Sequence, residues 1–151
     1  MLSADEPEPD VAGWLIDFLT AQSIFDSGSN ARISHCLDMC SSSDLHICHL
    51  EEKLFKGHAA LRPPFLIDQN CICHPDQAIM QQCINVSSNP KCKKLLKGNQ
   101  TAIVLTAIAS CRSYGVISDH RSPYFNTVYD LCEHFGVPIM SANEYFALHN
   151  V

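Results

Sequence analysis

At 151 residues, with 46% hydrophobic and 17% charged positions, the chain has the length of one globular domain and is too apolar for a disordered one. Its formal charge of −6, from ten basic and sixteen acidic residues, excludes a protein that coats nucleic acid through a general basic surface. No apolar run approaches the ~20 residues that a membrane-spanning helix needs, so no membrane partner is expected.

The amino-terminal MLSADEPEPDVAG carries acids and prolines where a signal peptide carries basic residues and an apolar core. Residues 1–12 therefore read as a flexible acidic lead-in, residues 13–151 as a single domain, and the chain as cytoplasmic. GWLIDF is a short apolar strand ending at Asp17-Phe18, and the helical stretch LTAQSIFDS comes after it. ARISHCLDMCSSS sets Ile33, Cys36, Leu37 and Cys40 at helical spacing, with Asn30 available as a cap. LHICHL is a second strand, leading into the short helix EEKLFKG, which Gly57 closes. In HAALRPPFLIDQNCICHP, Pro63-Pro64 forbid a continuous helix, and the segment reads as an inserted loop with a small strand at FLI.

The second half is more regular. PDQAIMQQCINV reads as a helix whose proline suits the first turn, and SSNPKCKKLLKG as another, ending at Gly98. NQTAIVLTAIASCRSYG is apolar nearly all round, the pattern of a buried helix. The strand YGVISD, the helix SPYFNTVYDLCEHFG, the strand VPIMS and a last helix ANEYFALHN complete the chain. Strands alternating with helices predict an α/β fold: a three-layer α/β/α sandwich around a central, mostly parallel sheet.

In open sheets of this kind, sites form beyond the carboxyl ends of the strands. That rule selects Asp17 after the first strand, His49, Glu51 and Glu52 after the second, Asp119 and His120 after YGVIS, and Ser141 and Asn143 after VPIM. Acids converging at one sheet edge are what a Mg²⁺ or Mn²⁺ site needs, and such an ion neutralises phosphate oxygens and activates water.

A second constellation is rich in sulfur and imidazole: His35, Cys36, Cys40, His46, Cys48, His49, Cys71, Cys73 and His74. These are zinc-ligand types, so structural Zn²⁺ is a further expectation, but the set lacks a CxxC pair and matches no zinc spacing. Nine cysteines, several in apolar runs, read first as reduced core thiols.

The pattern of acids and elements resembles the PIN domain, a metal-dependent ribonuclease fold of many bacterial and archaeal toxins. GWLIDFLTAQSIF resembles the family's opening strand, whose terminal aspartate binds metal, and Asp17 matches it. LHICHLEEKLFKG resembles the second strand and its glutamate-bearing helix, with Glu51 or Glu52 in that role. KGNQTAIVLTAIAS resembles a glycine-acid pair opening a long buried helix. YGVISDHRSPYFNTVYDLCEHFGVPIMSANEYFAL resembles a strand ending in one or two acids, then a helix, a further strand and a final helix. Two departures stand out: Asn99 occupies the place of an acid, and His120 that of a second acid beside Asp119.

The resemblance implies a divalent-metal-dependent RNA endonuclease. Asp17, Glu52, Asp119 and His120 would form its catalytic set, with Asp17, Glu51, Glu52, Asn99 and Asp119 around the metal. Lys91, Lys93, Lys94 and Lys97, with Arg121, would guide an RNA backbone. It also implies an antitoxin-like protein partner and a homodimer. The alternatives are a PIN-like module that binds RNA or protein without cutting, and a zinc-stabilised interaction domain. Each candidate also has a purely structural role open to it. Asp17, Asp119 and Asn99 would cap helices, Glu51 and Glu52 would meet a helix dipole, and the lysines would be a solvated face.

Overall fold

Four residues, Gly13–Ile16, form the first strand, β1, and all four are buried, which is why their run is uninterrupted by polar groups. The computed structural model describes residues 8–90, 100–120 and 127–151. Within them β1 is followed by helices α1 (Phe18–Asp26) and α2 (Asn30–Ser41), then by strand β2 (Leu45–Cys48). A 3-10 turn (His49–Glu51) opens into the short α3 (Glu52–Lys56). A single π-helical turn (Pro63–Ile67) precedes β3 (Ile72–Cys73) and α4 (Gln77–Ser87). The other described elements are α5 (Gln100–Arg112), β4 (Tyr114–Ile117), α6 (Thr127–His134), β5 (Ile139–Met140) and α7 (Ala142–Leu148).

All five strands are parallel, in the order β3-β2-β1-β4-β5. The order runs one way from β1 to β3 and the other way from β4 to β5, so the switch point lies between β1 and β4. Their register pairs Gly13 with Tyr114 and Ile16 with Ile117. Residue 17 and residue 118 therefore leave the sheet side by side. Alternate strand residues feed two separate apolar clusters. Trp14, Ile16, Leu45, Ile47, Ile117 and Met140 join α1, α2 and α7 in one. Leu15, Cys48, Cys73 and Val116 join α4, α5 and α6 in the other. Both sets of strand side chains are thus buried, as the two-residue alternation of a strand requires. Among the described residues no helix is long and apolar enough to cross a membrane.

Several local expectations need correction. The FLI segment is part of the π-helical turn, and the strand lies further on at Ile72–Cys73. Pro63-Pro64 bar an α-helix there, but they open a wider turn whose Pro64 and Phe65 are buried. α2 is capped by Ser29, whose hydroxyl accepts from the Arg32 N–H, rather than by Asn30, which is already helical. α4 begins after Asp76, whose side chain accepts the Ile79 N–H, so an acid and not the proline sets its start. The SSNPKCKKLLKG helix falls largely outside the described residues.

One glycine is fixed by packing. Gly115 on β4 pairs with Trp14, and a Cβ at that position would come within 2.4 Å of the Trp14 ring. That ring is buried and packs edge-on against Tyr145, with centroids 5.1 Å apart, so it has little room to retreat. Gly115→Ala is expected to destabilise the fold by about 1–3 kcal/mol, the usual range for overpacking, measured by denaturant unfolding.

Candidate active site at the carboxyl edge of the sheet

The side chain of Asp17, one residue beyond β1, is 8% exposed. A buried carboxylate is costly unless it is hydrogen-bonded, and both of its oxygens are engaged. Oδ1 accepts the Thr20 N–H at 2.8 Å, capping α1. Oδ2 accepts the Ser118 hydroxyl from the end of β4. The switch point places these two groups together, and they lace β1 to β4 where the main-chain ladder stops.

Ser118 is fully buried and holds three further contacts. Its hydroxyl accepts the His120 N–H at 3.1 Å, its carbonyl accepts the Tyr129 hydroxyl at 2.6 Å, and its own N–H donates to the Met140 carbonyl at 2.9 Å. Thr20, also buried, accepts the Asp119 N–H on Oγ1 at 2.9 Å. Asp119 in turn extends one carboxylate oxygen to the Ala142 N–H, at 2.8 Å, in the first turn of α7. That helix carries a complete capping box of Ser141 and Glu144. Asp119 is otherwise exposed, as is His120.

β2 delivers the third acid. The 3-10 turn after it folds Glu51 inward to 9% exposure, where Oε1 accepts the Phe18 N–H at 3.2 Å. Burial and then the nearby Asp17 carboxylate push its pKa up to about 7, only partly offset by the Phe18 N–H. Glu51 is therefore the glutamate set against Asp17. Glu52, next in the chain and half-buried, opens α3 and lies beside His49, whose pKa burial and His74 lower against the pull of Glu52. Among the described residues no Lys or Arg forms an ion pair with Asp17, Glu51 or Asp119.

The structure thus brings Asp17, Glu51 and the Ser118–Asp119 segment to one edge, with Glu52 toward the His49 side. Asn99, Lys91, Lys93, Lys94, Lys97 and Arg121 lie outside the described residues. Asn143 accepts a hydrogen bond from Arg32 at 2.8 Å. Two hydroxyls that brace the edge, Thr20 and Tyr129, are not among the sequence candidates. Thr20 stands three residues after Asp17, the spacing at which a cap meets its N–H, and that is its only signal.

No group of three or more His, Cys, Asp or Glu side chains able to hold a metal ion gathers among the described residues. The sulfur-rich set is dispersed: Cys36, Cys40 and Cys71 belong to one apolar cluster, Cys48 and Cys73 to the other. His46 stacks on Tyr114 with ring centroids 4.6 Å apart, and His35 meets the Tyr145 hydroxyl at 2.8 Å. A cavity of about 540 Å³, lined by Glu8, Trp14, His35, Asp44, Tyr145 and His149, sits at the opposite, amino-terminal edge of the sheet. Comparison with known proteins found no matching family model, no similar curated protein and no similar solved structure.

The Glu51 environment has a pH signature. Folded Glu51 holds its proton more tightly than the unfolded chain does, so between the ordinary carboxylate range and about 7 the folded state binds more protons. Its contribution to stability is fully present below that window and is lost as pH rises through about 7. Glu51→Gln is expected to remove this loss, about 1–3 kcal/mol, and flatten the profile. Urea unfolding of both proteins across mildly acidic to mildly basic pH measures it.

Proposed function

We propose that the chain is a PIN-like domain, a three-layer α/β/α sandwich, that hydrolyses RNA phosphodiester bonds with a divalent metal ion. The observation that supports this reading most is the convergence of Asp17 and Glu51 beyond the carboxyl ends of β1 and β2, without a Lys or Arg ion-pair partner among the described residues. Two carboxylates pressed together raise the pKa of one of them, and a divalent cation relieves that repulsion. Mg²⁺ needs only one or two carboxylates, with waters completing its octahedron, so this pair fits it in type and number. Asp17 and Glu51 would hold the ion, and the resemblance would add Asp119 and Asn99 or Glu52 to them. When bound, the metal supplies charge stabilisation at the phosphate and lowers the pKa of a water.

The protein's own groups have separate tasks. Ser118 and Thr20 fix the oxygens and main chain of the two central strand ends, so the acids need no reorganisation. His120, exposed beside Asp119, would hydrogen-bond a leaving oxygen. Arg121 and the lysines at 91, 93, 94 and 97 would bind the RNA backbone, and a single-stranded or looped substrate would bring its phosphates to the edge. An antitoxin-like partner and a homodimer belong to the same reading. A PIN-like module that binds RNA or protein without cutting is the second reading. It is favoured by one observation: Asp17, Glu51 and Asp119 each accept a hydrogen bond from within the fold.

Thermal unfolding with added Mg²⁺ or Mn²⁺ separates the two. Metal at 100 times its dissociation constant should stabilise the wild type by about 2.7 kcal/mol and leave Asp17→Asn unchanged. Because a bound metal contributes several kcal/mol to catalysis, the same variant should cut cleavage of a single-stranded RNA by about 100-fold or more. Equal midpoints with and without millimolar metal would leave the non-cutting module.

A further inference from the structure

The cavity of about 540 Å³ at the amino-terminal edge of the sheet lies away from the acids of the carboxyl edge, and its size is that of a small-ligand site. We propose that it binds a small organic cation, an ammonium or guanidinium group on a short apolar body.

Charge sets the sign of the ligand. Glu8, Asp10 and Asp44 line the cavity, and no Lys or Arg among the described residues does. Glu8 meets His149, Oε1 to Nε2 at 3.0 Å, whereas Asp10 and Asp44 form no ion pair among the described residues. Burial, and then His149, lower the pKa of His35 against the pull of Asp38 and Glu8, so this lining imidazole is uncharged at neutral pH. A concave surface carrying one sign of charge concentrates its field and draws in the opposite sign. The wall registers that field. Burial pushes the pKa of the Tyr145 hydroxyl up, and Glu8, Cys36 and Asp44 raise it further.

The shape of the site favours an organic cation over a metal ion. No group of three or more side chains able to hold a metal gathers among the described residues, so the three carboxylates do not converge on one point. A cation that meets more than one of them is extended. Rings cover its apolar part. Trp14 packs against Tyr145 with centroids 5.1 Å apart, and His149 lies 4.4 Å from Tyr145 and 5.2 Å from His35. All four line the cavity, and aromatic rings attract ammonium and guanidinium groups.

The fold holds these groups ready. The Tyr145 hydroxyl is fixed between His35 Nε2 at 2.8 Å and Met39 Sδ at 3.0 Å. The Asp44 N–H donates to the Met39 carbonyl, and its carbonyl accepts the Trp14 N–H, both at 2.8 Å. Ala12, two residues after Asp10, donates its N–H to the Ser113 carbonyl at 2.8 Å. The main chain that presents Asp10 and Asp44 is therefore tied to the sheet, and little ordering is left for the ligand to impose.

Trp14 is the chain's only tryptophan, so its fluorescence reports on this cavity. The test titrates the full chain with agmatine, which joins a guanidinium to an ammonium by a short methylene chain. Butanediol serves as the uncharged analogue, and sodium chloride matches the ionic strength. A saturable change is expected with millimolar agmatine and with neither control. The double variant Asp10→Asn, Asp44→Asn should weaken binding by about 10-fold. Asp130→Asn, which removes an exposed acid from α6, should bind as the wild type does. Should the double variant fail to fold, the contrast between agmatine and butanediol on the wild type decides. No saturable change with agmatine, an equal response to butanediol or salt, or equal weakening by Asp130→Asn would overturn the proposal, as would undiminished affinity in the double variant.

Discussion

The hydrogen bond from Ser118 to Asp17 joins the ends of the two central strands, and the carboxyl edge of the molecule is organised outward from it. Parallel pairing of Ile16 with Ile117 brings these next residues together. An unpaired carboxylate at that depth would be strongly unfavourable, so the hydroxyl is a condition of burying it. From this bond the network spreads through Tyr129 and His120 on one side. On the other it passes through Thr20 and Asp119 to the start of α7. Asp17 and Asp119 are consequently part of the fold, and removing either side chain unlaces several elements at once.

Much of this is legible from sequence because a few residues carry strong, local signals. The run GWLI followed by an aspartate marks a buried strand and its end, and VIS followed by Asp119 does the same for β4. The almost uniformly apolar α5 announces its burial. What sequence alone does not choose is between Glu51 and Glu52. A 3-10 turn advances each residue by about 120°, against about 100° in an α-helix, and so decides which side chain faces inward. Next to this turn the rings of Phe18 and Phe55 meet edge-on with centroids 5.4 Å apart. That contact joins residues far apart in the chain.

The helix starts differ from expectation for a similar reason. A proline suits the first turn of α4 and an asparagine the cap of α2, yet Asp76 and Ser29 fill those places. Neighbouring residues with similar capping ability compete, and the tertiary path of the incoming chain selects among them. The bracing hydroxyls are invisible on other grounds. Thr20 and Tyr129 act on groups from distant strands, and no spacing along one element reveals such a partner.

The two outermost strands, β3 and β5, are each two residues long. An exposed strand edge normally offers a row of free peptide groups onto which another chain can stack, the first step toward strand exchange or fibrils. Edges this brief present almost no such row. Pro138 directly before β5 and Pro75 shortly after β3 shorten these borders further. The same brevity leaves little for a binding protein to extend by β-augmentation, so recognition falls to helices, loops and the side chains they display.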